Sequence, residues 1–391
     1  MTVKITASDI KGDQDFLQAL FPHVPRISHL SLTRYLSIED AAYDLPGFFA
    51  LTMPNITSLE LEQEAQPTEL FRSKATTAPP LFQNLSKLRS LHLTRVSDLF
   101  ILSDVTALVE LKLEGYTIPF GKFIGFLESN LALEIVVLDL GFVKSSARTV
   151  PERRISLPRL RRLAFTCDNA ADARGLLSCV FLPRGIHVTV QGTRLNPCAD
   201  LVSFLPSPPT RIQELLTPIT TIKYWDFPRQ LHLSSDGETF HFHSPHKITP
   251  TLYDEFKLFA TGAVRELHLS LHPRHPTQRL SWSLERLPAL EALVLSETVL
   301  SFDTLSPLGE EPVLCPSLKT VAFSNCAVSQ HAIRGLREVL AKREHSIAAR
   351  LHQVVIVDDG FNLPDIPSIR HLQELVPRVN VRVGDRLPDL L

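Results

Sequence analysis

Apolar residues recur along this chain in one short pattern: an apolar residue, two others, then two apolar residues flanking a single variable one. The fullest copy is Leu318-x-x-Val321-x-Phe323-x-x-Cys326-x-Val328. Its alternation predicts a short strand with Val321 and Phe323 turned inward and Thr320, Ala322 and Ser324 turned the other way. Earlier copies are Ile27-x-x-Leu30-x-Leu32, Ile56-x-x-Leu59-x-Leu61, Leu88-x-x-Leu91-x-Leu93 and Leu108-x-x-Leu111-x-Leu113. They continue with Ile135-x-x-Leu138-x-Leu140 and Leu160-x-x-Leu163-x-Phe165. From Ile27 to Leu160 the copies start 29, 32, 20, 27 and 25 residues apart. The pattern returns as Val264-x-x-Leu267-x-Leu269 and Leu290-x-x-Leu293-x-Leu295, and strands at Val354–Val357 and Val379–Val383 close the series. One such strand cannot bury its apolar face alone, so the copies predict neighbours stacked side by side.

Helical periodicity falls between the strands: residues 9–22, 40–51, 120–131 (Phe120, Phe123, Ile124 and Leu127 on one stripe) and 172–182. Thr249-Pro250 opens a helix that Gly262 ends. Ser329 caps another that runs to about His345, with Ile333, Leu336 and Leu340 inward. Gly185–Val190 reads as an alternating strand, and 205–210 as a loop. Residues 231–243 stand apart. Asp236-Gly237 is a two-residue hairpin turn, which pairs Leu233 with Phe240 and Leu231 with Phe242. This predicts a hairpin inserted into the array.

The pattern is the leucine-rich-repeat template L-x-x-L-x-L-x-x-N/C-x-L, with Cys326 in the Asn/Cys slot. The expected fold is therefore α/β: a leucine-rich-repeat-like solenoid with a concave parallel sheet and outer helices. It would be a single array over residues 1–391, with N-terminal repeats at about 24–190, an irregular middle at about 191–262 and C-terminal repeats at about 263–391.

Composition narrows the function. An apolar share of 44% and a charged share of 21% describe a folded chain, and a formal charge of -2 supplies no basic field for nucleic acid. Glycine is scarce (15) and proline plentiful (29), which disfavours phosphate-cradling loops and suits many short connections. Five cysteines without a C-x-x-C pair indicate neither a disulfide framework nor a thiolate zinc site. The N-terminal residues carry no apolar signal region, and no apolar run reaches the roughly 18 residues of a membrane span. A cytoplasmic or nuclear protein without cofactor, membrane or nucleic-acid partner is expected.

Catalytic motifs are missing. Gly115–Phe123 mimics a P-loop, but five residues separate its glycines and Phe123 stands where Ser or Thr would meet magnesium. No G-x-S-x-G elbow and no H-E-x-x-H pair occurs. In the hairpin, His232 lies opposite His241, with His243 on the same face and His246 nearby. These imidazoles could share a metal, or could simply line the wet side of a two-sided hairpin. His268, His272 and His275 read as surface residues.

The repeat geometry defines a more informative surface. In the N-terminal half, His29, Ser31, Thr33, Ser58, Glu60, Glu62, Ser90, His92, Thr94, Glu110, Lys112 and Glu114 face outward as a polar, somewhat acidic strip. In the C-terminal half, Glu266, His268, Ser270, Ala292, Val294, Ser296, Thr320, Ala322 and Ser324 form a smaller, partly apolar strip. An exposed apolar patch marks a protein-binding surface; the alternatives are that a tail or a second copy covers it, or that its area is too small to matter.

The P-x-L-x-x-L-x-L strands, the irregular spacing, and the stretches LEALVLSE (290–297) and CPSLKTVAFSNC (315–326) resemble the F-box/leucine-rich-repeat proteins of mushroom-forming fungi. The resemblance covers most of the chain and implies the substrate-recognition part of a ubiquitin-ligase adaptor. In that family an N-terminal F-box, opening with a Leu-Pro-x-Glu-like segment, docks the ligase. Residues 1–30 hold no such segment. The expectation is that the box was lost or lies upstream of Met1, and the ligase adaptor is an expected partner only in the second case. The alternative is a leucine-rich-repeat scaffold with no ubiquitin link; a metal-binding protein or hydrolase built on the hairpin histidines is the third reading.

Overall fold

A computed structural model describes residues 1–6, 19–35, 53–63, 85–95, 105–143, 154–167, 170–192, 204–205, 219–226, 229–235, 237–244, 261–270, 276–310, 312–328, 330–344, 350–358 and 366–383. It is a mixed α/β structure dominated by parallel strands, with few helices. The chain divides into two compact units, Met1–Gln191 and Gly192–Leu391.

In the first unit the strands are β1 (Thr2–Thr6), β2 (His29–Tyr35), β3 (Ser58–Gln63), β4 (Ser90–Thr94) and β5 (Glu110–Pro119). They continue as β6 (Ile135–Val143), β7 (Ile155–Ser156), β8 (Arg162–Cys167), β9 (Val180–Phe181) and β10 (His187–Gly192). The main sheet runs β1-β2-β3-β4-β5-β6-β8-β10, parallel from β1 through β8, while β7 and β9 form a separate parallel pair. Helix α1 (Phe120–Ser129) follows β5, and α2 (Ala170–Cys179) follows β8.

The second unit opens with an antiparallel group, β11 (Thr221–Asp226), β12 (Arg229–Ser235) and β13 (Glu238–Ser244). Then come β14 (Glu266–Ser270), β15 (Ala292–Ser296), β16 (Val299–Leu300), β17 (Thr320–Ser324), β18 (Ala327–Val328), β19 (Gln353–Asp358) and β20 (Arg378–Val383). The sheet order is β13-β12-β11-β14-β15-β17-β19-β20, parallel from β11 onward through β14 to β20, with β16 and β18 paired apart. The helices are α3 (Pro276–Arg286), α4 (Phe302–Leu305), α5 (Gln330–Glu344) and α6 (Ile366–Leu375). Ser301 caps α4 by accepting from the Thr304 N–H at 3.1 Å. Gly335 of α5 lies so close to Phe302 of α4 that an added Cβ would meet the ring at 2.8 Å.

Most of these repeats enter their strand through the same turn. The N–H of the first template residue donates to the carbonyl three residues back: Ile27 to Val24, Ile56 to Met53, Leu88 to Leu85, Leu160 to Leu157, Leu290 to Leu287 and Leu318 to Cys315. Proline at the second turn position (Pro25, Pro54, Pro158, Pro288, Pro316) fixes the φ that the turn requires. Several strands leave through a left-handed residue two places past the second inward side chain: Arg95, Gly115, Glu297 and Asn325. The N–H of Arg95, Glu297 and Asn325 then reaches the next strand of the sheet, at Glu114 O, Ser324 O and Val357 O. A template of fixed length thus carries turn, strand and exit together. The inward residues it names, Leu59 and Leu61 through Val321 and Phe323, are buried.

The structure revises several expectations. The repeat of β6 is Leu133-x-x-Val136-x-Leu138, two residues earlier than Ile135-x-x-Leu138-x-Leu140, because Val136 pairs with Leu111 and Leu138 with Leu113. Leu133 donates to Asn130 O in the repeat turn and is buried, whereas Ile135 is half-exposed. The helix expected to reach residue 182 stops at Cys179, where Val180 and Phe181 pair with β7. The hairpin is a true hairpin, with Leu231 opposite Phe242 and Leu233 opposite Phe240. Its strands are members of the main sheet of their unit, joined to β14 through β11. Strand β11 is itself a template copy, Ile219-x-x-Ile222-x-Tyr224, with all three residues buried. Helix α1 buries Phe123, Ile124 and Leu127, and α5 buries Ile333, Leu336 and Leu340, as the periodicity requires. The helix expected at 40–51, most of those at 9–22 and 249–262, most of the loop at 205–210, and Asp236, His246, His272, His275 and Ser329 lie outside the described residues.

Candidate functional site

Register aligns the outward residues of the first unit into rows. Ser31, Glu60, His92 and Lys112 are consecutive partners across β2, β3, β4 and β5; Thr33, Glu62, Thr94 and Glu114 form the row beside them. His92 is the hub. Its Nδ1 lies 3.4 Å from Glu60 Oε1 and its Nε2 3.4 Å from Glu114 Oε1, with Thr94 Oγ1 at 3.3 Å. The Ser31 hydroxyl donates to Glu60 at 2.8 Å. Lys112 donates to Glu110 at 2.7 Å and holds that carboxyl below the usual carboxylate range, helped by Ser90. These half-exposed contacts, one of them the Lys112–Glu110 ion pair, are worth little individually; their effect is to hold polar side chains in a fixed arrangement on an accessible face.

The second unit treats the same positions differently. Ala292, Val294, Thr320 and Ala322, expected to form an exposed strip, are 1%, 0%, 8% and 0% exposed. Val294 and Ala322 pack in one buried cluster with Val355 and Val357. The correction has a readable cause. Strands β15, β17 and β19 read ALVL, TVAF and VVIV, close to continuous apolar runs, and parallel strands of that kind are covered on both faces. Ser270 is buried too, while Ser296 and Ser324 are half-buried. No exposed apolar patch exists at these positions.

Towards the other edge of the same face the residues become polar. His241 stands opposite His232, His232 opposite Lys223 and Lys223 opposite His268, so one row crosses β13, β12, β11 and β14. The His232 and His241 rings are 5.6 Å apart at a 56° tilt. Burial holds both below the ordinary imidazole range, with the neighbouring His241, Lys223 and His268 adding to the effect at His232 and His243 adding to it at His241. Burial does the same to His243. His268 Nε2 sits 2.6 Å from Glu266 Oε1, and that contact holds the Glu266 carboxyl low. The expected pairing of His232 with His241 is therefore present. Among the described residues, however, no group of three His, Cys, Asp or Glu side chains is placed to hold a metal ion.

The P-loop mimic is strand and helix without a cradle: β5 continues to Pro119, α1 begins at Phe120, and Phe123 is buried. No family model and no curated protein sequence matches the chain. Cys167, Cys179, Cys315 and Cys326 are buried thiols outside any disulfide. Burial pushes the Cys315 thiol up to about 12, and it donates to the carbonyls of Leu284 and Leu287 at 3.1 Å. Cys326 donates to Leu295 O at 3.2 Å, tying its repeat to the preceding one from the template's Asn/Cys slot. Such thiols serve packing and hydrogen bonding. Among the described residues no helix is long and apolar enough to cross a membrane.

Sequence reasoning misses Lys223, the centre of the second row, because the copy that carries β11 contains no leucine. The spacing Ile219-x-x-Ile222-x-Tyr224 identifies it, with Thr221, Lys223 and Trp225 on the outward face.

Proposed function

We propose that this chain is a non-catalytic recognition module, an irregular leucine-rich-repeat solenoid whose outward strand residues bind a protein partner. The observation that carries this reading is the alignment of template positions into rows. Glu60, His92, Glu110, Lys112 and Glu114 come from three different repeats, yet register and side-chain contacts fix them side by side. Side chains held this way need little further ordering when a partner arrives, which favours binding.

A charge reversal on the row tests the reading. The triple variant E60K/E110K/E114K should lose the proteins that the wild-type chain captures from a fungal lysate. A control with E291K, at a residue of the second unit that is no member of the row, should retain them. Partners held equally by both variants, or no specific partner for the wild type, would refute a role for this face. The link to ubiquitin rests on the family resemblance. It predicts the cullin-ligase adaptor among the captured proteins when any upstream F-box is included, and specific partners without that adaptor would identify a scaffold.

A further inference from the structure

The row His241–His232–Lys223–His268 combines features that the first unit's row does not. Adjacent strands lie about 4.8 Å apart, so its four side chains span roughly 14 Å. Every member is half-buried, and three imidazoles stand in line with one ammonium. Within this unit, the other described titratable groups on the same face beside the row are His243, next to His241 along β13, and Glu266. Glu266 is already committed: His268 contacts one oxygen at 2.6 Å, and the Thr221 hydroxyl donates to the other at 3.4 Å. Trp225, half-buried, adds an aromatic surface one step along β11.

A half-buried line of like-signed groups is unfavourable once its imidazoles are protonated, unless negative charge is brought to it. His232 and His241, held low by burial, avoid that cost by staying neutral at neutral pH, and Lys223 stands in the row between His232 and His268. An extended peptide repeats its side chains about every 6.8 Å on one face, so alternate carboxylates match a row of this length. We propose that this row is the docking site for an acidic, carboxylate-bearing segment of the protein partner, an inference that rests on the recognition reading. Each carboxylate that settles against an imidazole stabilises its protonated form, so docking takes up protons and strengthens as pH falls through the imidazole range.

The test uses the full chain and a fluorescein-labelled peptide of six glutamates, with six glutamines as control, followed by anisotropy at constant ionic strength. Affinity for the glutamate peptide should be about tenfold higher near pH 6 than near pH 8, and the glutamine peptide should not bind. K223Q should weaken binding at both pH values, and H232Q/H241Q should remove most of the pH dependence. Circular dichroism checks that each variant is folded, and K223Q, at a half-buried lysine, keeps the test available if the double variant is not. No binding near pH 6, binding without pH dependence, or binding that K223Q leaves unchanged would overturn the proposal. The peptide readout needs no cellular partner. A negative result here, with capture still lost in E60K/E110K/E114K, would remove the acidic-segment site and leave the recognition reading intact.

Discussion

Lys112 of β5 and Val294 of β15 occupy the same place in their repeats, between the two inward residues of the strand. Lys112 is half-exposed and paired with Glu110; Val294 has no exposed surface at all. The inward faces of the two units follow one template, with Leu111 and Leu113 matching Leu293 and Leu295, all fully buried. The template therefore fixes the core and the register, while the residues between its apolar positions decide what each outer face becomes. In the first unit, sequences such as SLEL, SLHL and ELKL leave that face wet. In the second, the apolar strands β15, β17 and β19 close it, and polar residues return on either side, at the β13–β14 end and at Arg378 and Asn380 of β20.

The sharpest way to break this comparison is to place the same charge in both slots. Val294→Glu should cost more than about 4 kcal/mol, because the carboxylate is buried without a partner. Lys112→Glu should cost less than about 1 kcal/mol, the scale of an exposed ion pair. Urea denaturation reads both, and equal effects would mean that the two faces are alike.

A smaller effect is expected at Asn130, which fills the turn-opening slot where other repeats carry Val24, Met53, Leu85 or Leu287. Its side chain accepts from the Leu108 N–H at 3.1 Å and donates to Val105 O and Phe126 O at 2.7 and 2.9 Å. Asn130→Leu restores the common apolar residue but strands those buried backbone groups. A loss of about 2–3 kcal/mol is expected from the same urea measurement.

The smallest expected effect separates the units by pH. His232, His241 and His243 have folded pKa values below their ordinary one, so the unfolded chain binds protons first as pH falls. Their contribution is fully present above the ordinary value near about 6.5 and is lost as pH drops towards the lowered folded values. The midpoint of urea unfolding should therefore fall between about pH 7.5 and pH 5.5, and H232Q/H241Q should flatten that slope. Glu110 and Glu266, both held low by their partners, add a loss that begins only in the carboxylate range.

How much of this is legible in the sequence depends on which constraint is local. Turn and strand are encoded within six residues, so copies such as Ile56-x-x-Leu59-x-Leu61 and Leu318-x-x-Val321-x-Phe323 can be placed from spacing alone. The β6 register slips by two because Val136, Leu138 and Leu140 in the run EIVVLDL (134–140) are all apolar at one parity, and only pairing with Leu111 and Leu113 selects Val136 and Leu138. The opposition of His232 and His241 is legible because a two-residue turn dictates register. The burial of Ala292 and Val294 does not follow from the template, which describes one face of a strand and is silent about the other. Its trace is the apolar run itself.

Arg343 carries a consequence for how the second unit is made. Its guanidinium, buried in α5, donates to the carbonyls of Leu308, Leu314 and Cys315 at 2.9, 3.1 and 2.9 Å. Those carbonyls lie 28 to 35 residues upstream of the arginine that serves them. During synthesis the segment leading into β17 emerges first and waits, its acceptors hydrated by water, until α5 has followed. The helix that comes after the strand is thus part of what fastens the entrance to it, and the order of events on the ribosome runs against the order of dependence in the fold.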